Sequence, residues 1–451
     1  MKERPFAYSE IFTHPPLSSA AFVDQGHVRQ DLDPFVATVC KNESNCTLVL
    51  KDGTLFTTWS QGSFEHGSDE RIVFSTSRDH GKTWEYPRTI LLSSQLERIA
   101  YGIPFLVPGT GRIYLFFHAS LRKTFHYQLN YDQWMDPFYD AGRLGFVYSD
   151  NLGGHWSPRY EIDMPNRDID ALPGVFHGWV NHPPILMPDG EVLFTVSSYD
   201  RRVFRRAFML HSAEVSVVRC DNLLKEKDPR KLSFSVWPEG PRGIRVDAYE
   251  HKDNASLYRL VKTFGGFVED SGWNFQEMTL APLHGGRILG VGRCSLGSPG
   301  YTISSDGGKT WLSVQPLRNR PGGDPIRHPV TMCPIFRLRD GRFLLFTTDN
   351  DGFQRGASHI WEGKGMTRNP QFICVGIEKN PGSNDNAGLV FGKLKLLAEV
   401  AVSSDANLKT GVSMPHYFES SGRHFVGYNI NKEHLLLDEM PADVLDELTP
   451  E

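Results

Sequence analysis

The chain has 451 residues, enough for one large repeat fold or two to three ordinary domains. Apolar residues make up 39% and aromatics 12%, which supports a large core, and 42 glycines with 29 prolines suit a turn-rich β chain. A net charge of -5, with both signs mixed, excludes the basic footprint of a nucleic-acid scaffold.

The start, MKERPFAYSEIF, has no apolar h-region, and no run of 18 apolar residues occurs anywhere. No membrane span is therefore expected. As given, the chain reads as cytoplasmic; a removed leader would make it secreted or periplasmic. Residues 1–40 match no later pattern, and the expectation is that they supply a strand that closes a ring of sheets. From there a hairpin signature recurs: an apolar strand, a Gly turn, a second apolar strand. The instances are CTLVLKDGTLFTTW (46–59), IPFLVPGTGRIYLFF (103–117), PPILMPDGEVLFTV (183–196), EMTLAPLHGGRILGVG (277–292), CPIFRLRDGRFLLFTT (333–348) and PHYFESSGRHFVGYN (415–429). Their turn glycines recur about every 74 residues. The long charged segments 201–270 and 350–400 read as outer strands with loops. Only PADVLDEL (441–448) has helical spacing, with Pro441 early. The six cysteines, at 40, 46, 220, 294, 333 and 374, form no C-x-x-C pair and are read as buried free thiols.

A second marker is an eight-residue turn. Ser304 to Trp311 reads SSDGGKTW, Ser77 to Trp84 reads SRDHGKTW, and Ser149 to Trp156 reads SDNLGGHW. Asp79 and Asp306 can accept backbone N–H bonds inside the turn, Gly81, Gly153 and Gly308 permit positive φ, and each Trp can plug an apolar layer. The first two Trp residues are about 72 apart and the next interval is about twice that, so both markers agree on one pitch. The octapeptide resembles the Asp-box (BNR repeat) of the sialidase (neuraminidase) superfamily. The resemblance implies an all-β fold, a six-bladed β-propeller of four-stranded antiparallel blades, with the whole of 1–451 as one domain.

In such a ring the residues just before each hairpin converge on a central channel. They are Asn45, Arg98 and Tyr101, Asn181 and His182, Glu277, Arg327 and His328, and His416 and Tyr417. One polar set at the same place in successive repeats is the pattern of a site lining. The fourth repeat is the most specific: Glu277 opens a strand, Arg293 follows sixteen residues later, and a full Asp-box comes next. By resemblance, Glu277 would orient and deprotonate a nucleophile, and Arg293 would hold a substrate carboxylate through its planar fork. The loop 62–71 corresponds to the one that carries the family's acid/base carboxylate, and Glu65, His66 and Asp69 are all candidates. The family's Tyr nucleophile would correspond to Tyr417, beside His416. Where the family has its first carboxylate-binding Arg, this chain has Ser44-Asn45-Cys46-Thr47. No metal-ligand spacing is present and no cofactor is expected.

Three functions fit these residues. The first is an exo-acting, sialidase-like glycoside hydrolase on a carbohydrate with an acidic group held by Arg293, with Arg98 or Arg327. The second is a polysaccharide lyase or other sugar-converting enzyme, with His182, His328 or His416 as base. The third is a non-catalytic carbohydrate-binding propeller.

Overall fold

The computed structural model describes residues 7–10, 41–62, 69–94, 96–121, 127–129, 133–135, 141–170, 176–199, 212–247, 250–258, 273–350, 367–399, 411–430, 432 and 434–451. The chain is nearly all β. Strand β1 (Ala7–Glu10) is followed by an antiparallel sheet of β2 (Lys41–Val49), β3 (Leu55–Gly62), β4 (Arg71–Ser77) and β5 (Arg88–Leu92). Next come β6 (Glu97–Leu106), β7 (Ile113–Leu121), a small hairpin of β8 (Tyr127–Leu129) and β9 (Gln133–Met135), then β10 (Ala141–Ser149) and β11 (Tyr160–Ile162). They are followed by β12 (Phe176–Trp179), β13 (Ile185–Leu186), β14 (Val192–Tyr199), β15 (Ser212–Cys220) and β16 (Phe234–Trp237). A further meander consists of β17 (Trp273–Pro282), β18 (Ile288–Cys294), β19 (Gly300–Ser304) and β20 (Gln315–Pro316). Short β10–β12 and β15–β17 pairings join these, apart from the separate β8–β9 hairpin, into one thirteen-stranded path. A five-stranded sheet holds β21 (Ile335–Arg337), β22 (Phe343–Thr347), β23 (Gln371–Glu378), β24 (Leu389–Phe391) and β25 (Lys395–Ala398). The last sheet is β26 (Val412–Ser420), β27 (Arg423–Ile430) and β28 (His434–Met440), with β1 added on the outside of β28.

All six hairpin signatures form paired strands, and their turn glycines have φ between 75 and 94°, which a side chain would disfavour. The second strand of each hairpin is buried on both sides because neighbouring sheets cover both its faces. In β3, Leu55 and Trp59 enter a core shared with Phe418 and Phe425, whereas Phe56 turns the other way and stacks on Phe74 with centroids 4.7 Å apart. First strands also lie side by side, β2 against β6 and β26, and β17 against β21.

The eight-residue turns link third to fourth strands and share one hydrogen-bond plan. Ser77 and Ser304 hydroxyls accept from the main-chain N–H of Gly81 and Gly308, each at 2.8 Å. Asp79 and Asp306 accept from the N–H (2.9 Å) and hydroxyl (2.6 Å) of Thr83 and Thr310. In the third copy Asn151 accepts from His155 N–H at 2.8 Å, and no Thr hydroxyl is there to add the second bond. Each Trp reaches into the sheet that precedes it around the ring. Trp84 packs on the core that β2–β5 shares with the last sheet, Trp156 lies 6.5 and 6.2 Å from the rings of Phe56 and Phe74, and Trp311 packs near Met187 and Leu193.

The longest described helix, Ala442–Leu448, buries Val444, Leu445 and Leu448 against the core containing Phe346 and Val375. No helix among the described residues is long and apolar enough to cross a membrane.

Candidate functional site

Four first strands share one backbone device. β2, β6, β17 and β26 lose register for two residues, after Glu43, Ala100, Gln276 and Ser413 respectively. The first residue of each bulge takes positive φ: Ser44 53°, Tyr101 59°, Glu277 51° and Met414 53°. A side chain held there costs on the order of 1–3 kcal/mol, and a bulge re-aims it out of the pleat. The preceding hairpin fixes two of these bulges identically. Ser60 and Ser197 hydroxyls accept from the N–H of Tyr101 and Glu277, both at 2.7 Å. Two residues earlier, Thr58 and Thr195 donate to the carbonyls of Gly102 (3.2 Å) and Met278 (2.6 Å).

This places Glu277 in a buried polar group. Its Oε1 accepts from Asn181 Nδ2 at 3.0 Å and its Oε2 from Arg293 Nη1 at 3.1 Å. His182 Nε2 lies 3.0 Å from the Glu277 carbonyl, which can only accept, so that nitrogen carries the proton. Burial pushes the His182 imidazole down to about 4 and keeps it neutral. Arg293 is 2% exposed and closes the group from β18. Its Nη1 is spent on Glu277, while Nε and Nη2, the side-on fork of the guanidinium, have no partner among the described residues. His328 lies close enough for the Arg293 charge to act on it; burial first, then that charge, pushes it down to about 4. Its Nδ1 accepts from Thr348 N–H at 3.3 Å, so Nε2 donates to the Thr331 carbonyl at 3.1 Å.

The other candidates fall into two further groups. Arg98 pairs with Glu70 at 3.3 Å, both buried, and lies 5.6 Å from the Tyr101 ring centroid. Asp69 precedes Glu70 and is half-buried. Between β2 and the last sheet, Asn45 Nδ2 bonds His416 Nδ1 at 3.1 Å, and His416 Nε2 lies 3.0 Å from Thr47 Oγ1. Burial holds His416 neutral, down to about 4. Beside it Lys432 pairs with buried Glu43 at 3.1 Å.

Arg327 is exposed, and its carbonyl accepts from the Thr347 hydroxyl at 2.8 Å. Tyr417 sits three residues beyond the bulge toward the hairpin tip, with its hydroxyl 2.6 Å from His424 Nδ1, and burial pushes its phenol well up. Glu65 and His66 lie outside the described residues. The structure therefore brings Asn181, His182, Glu277 and Arg293 together, Asn45 with His416, and Arg98 with Tyr101. Glu43, Glu70 and Lys432 were not singled out in the sequence. Neither were the positioning serines, although Thr58-Trp59-Ser60 and Thr195-Val196-Ser197 repeat a Thr-x-Ser spacing at the same place in two hairpins.

The five described cysteines, 46, 220, 294, 333 and 374, are free and buried. No group of three or more His, Cys, Asp or Glu among the described residues is placed to hold a metal ion.

No protein-family model matches the chain, and no curated protein is similar to it in sequence. Solved structures resemble it in fold. The Hadza microbial sialidase Hz136 is 14% identical with a TM-score of 0.57, over 90% of this chain and 66% of that one. The intramolecular trans-sialidase from Ruminococcus gnavus, solved with oseltamivir carboxylate, is 13% identical with a TM-score of 0.55, over 90% and 95%. A protein of unknown function from Dyadobacter fermentans is 13% identical with a TM-score of 0.56, over 97% and 99%. At these identities the likeness is one of fold: the chain has the β-propeller fold of the sialidases.

Proposed function

We propose that the chain is a six-bladed, single-domain propeller that acts as an exo-glycosidase on a carbohydrate bearing an acidic group. The blade count rests on dividing the thirteen-stranded path at its two short pairings, β10–β12 and β15–β17, into three meanders. With the sheets headed by β2, β21 and β26 this makes six, and the octapeptide turns are then Asp-boxes on the first, second and fourth blades.

The observation that carries the functional reading is the Arg293 fork. A buried guanidinium with Nε and Nη2 unpartnered among the described residues, and Nη1 fixed on Glu277, is preorganised for a planar oxyanion. Glu277, aimed by its bulge, is the base that draws the proton from the attacking group. The general acid that protonates the departing sugar oxygen comes from the 62–71 loop, with Asp69, Glu65 and His66 as candidates. His328 and His416 already use both ring nitrogens, so of the three imidazoles named for lyase chemistry only His182, whose Nε2 holds the proton, is left to act as a base.

The test is a panel of 4-methylumbelliferyl glycosides, the sialoside and neutral sugars together. The expected result is release from an acidic glycoside, lowered about 100-fold or more in Glu277→Gln. Full activity in Glu277→Gln overturns the assignment.

A further inference from the structure

The hairpin of β17 and β18 carries a second, unassigned polar feature on the face turned toward β21 and β22. Gln276 is the cross-strand partner of Arg293, so their side chains share that face. Asn274, two residues earlier, is on the same face and accepts from Gln276 Nε2 through its Oδ1 at 2.7 Å. Continuing the register one step past Phe275–Cys294 sets Ser295 opposite Asn274. Asn274, Gln276, Arg293 and Ser295 are all buried, at 0, 0, 2 and 1% exposure.

A face packed between two sheets would ordinarily be apolar, as it is further along the same strands, where Leu289 and Val291 meet Ile335 and Leu345. Here it is polar and unfinished. Asn274 Nδ2, Ser295 Oγ, and Arg293 Nε and Nη2 have no partner among the described residues. Buried polar atoms left in this state cost about 1–3 kcal/mol each. Asn274 Oδ1 is committed to Gln276, whose Oε1 is one buried acceptor on this face; beside it stand three donor groups, an amide N–H2, a hydroxyl and a guanidinium edge.

We propose that Asn274 and Ser295 are substrate-binding residues that complete an oxyanion pocket with Arg293. This rests on the reading that Arg293 takes the acidic group of a sugar. One oxygen of that group meets the guanidinium edge, and the other is shared between Arg293 and the neutral donors. The pocket thus reaches full donor coordination with a single cation, and that cation is already half neutralised by Glu277 at 3.1 Å. Neutral donors add bonds without adding positive charge to a buried site.

The experiment is calorimetric titration of the full chain with N-acetylneuraminic acid and, separately, its methyl ester. The variants are Asn274→Asp, Ser295→Ala and Arg293→Met, each first checked for an unchanged circular dichroism spectrum. The expected result is tighter binding of the acid by wild type, about tenfold weaker acid binding in Ser295→Ala, and loss of the acid preference in Asn274→Asp. If Asn274→Asp and Ser295→Ala keep the wild-type preference while Arg293→Met loses it, the pocket proposal fails and the role of Arg293 survives. If Arg293→Met keeps it too, or wild type does not bind the acid, the underlying reading fails.

Discussion

Glu277 and Tyr101 occupy the same backbone position in different hairpins: each opens a bulge at positive φ and donates its N–H to a serine hydroxyl 2.7 Å away on the preceding hairpin. The equivalence separates positioning from chemistry. Ser60→Ala and Ser197→Ala each remove one buried bond and leave an N–H unpaired, so both should destabilise by about 1–3 kcal/mol in urea titration. Only Ser197→Ala should also lower turnover, because its bulge aims Glu277. Equal effects of the two variants on turnover would refute that division.

The octapeptide turns offer a gain of stability. Asn151 and His155 replace the Asp and Thr that make an additional 2.6 Å bond in the other two copies. The pair Asn151→Asp with His155→Thr should raise stability by about 1 kcal/mol, with most of the gain appearing only when both are present. A thermal-melt double-mutant cycle reads this coupling directly.

Gly427 makes room for His416. A Cβ added there would lie 1.9 Å from His416 Cε1, so Gly427→Ala must displace the ring and break its bonds to Asn45 and Thr47. The expected cost is at least about 2–3 kcal/mol, partly recovered in Gly427→Ala with His416→Ala. A melting temperature unchanged by Gly427→Ala alone would contradict this packing.

His182, His328 and His416 are each held neutral by burial, down to about 4. Their folded forms bind fewer protons than the unfolded chain between the ordinary imidazole value and that figure. Stability is therefore complete above about pH 6.5 and falls toward pH 4, by up to about 1.4 kcal/mol per pH unit for each residue. Urea midpoints at pH 7, 6 and 5 should drop progressively.

Glu214 has the opposite sign. Burial pushes its carboxyl up to about 7 although Arg167 lies 3.9 Å away. Its contribution is complete below the ordinary carboxylate range and is lost as pH rises through 7. Glu214→Gln should gain on the order of 1–2 kcal/mol over wild type at pH 8 and little at pH 5. Arg167 keeps its bonds to Ser216 and to the carbonyls of Pro238, Gly240 and Arg242 in either form.

The hairpins were legible in the sequence because each is local: the apolar pattern and the turn glycine lie within about fifteen residues. The meeting of Glu277 with Arg293 was legible for the same reason, since both belong to one hairpin. Asn181 on Glu277, Glu70 on Arg98 and His416 between Asn45 and Thr47 join different hairpins, and no period in one sequence specifies which side chains touch across a seam. Tyr417 illustrates the limit. Its distance from the hairpin start was visible, but the two-residue bulge that decides which residue turns inward was not. Met414 takes that position, and Tyr417 is left beside His424 near the tip. The buried polar face of Asn274 and Ser295 was hidden in a stretch that reads simply as a strand followed by a loop.

The backward reach of the tryptophans also sets a schedule for synthesis. The sheet of β2–β5 is chemically complete at Leu92, yet its rings Phe56 and Phe74 wait for Trp156, about 60 residues later. At about 5–20 residues per second that is a delay of several seconds on the ribosome. Trp84 waits longer, because its neighbours Phe418 and Phe425 are made more than 300 residues after it. The strands bearing Phe56 and Leu193 thus leave the ribosome unfinished and are covered by tryptophans made later, and the seam around Trp84 closes after both.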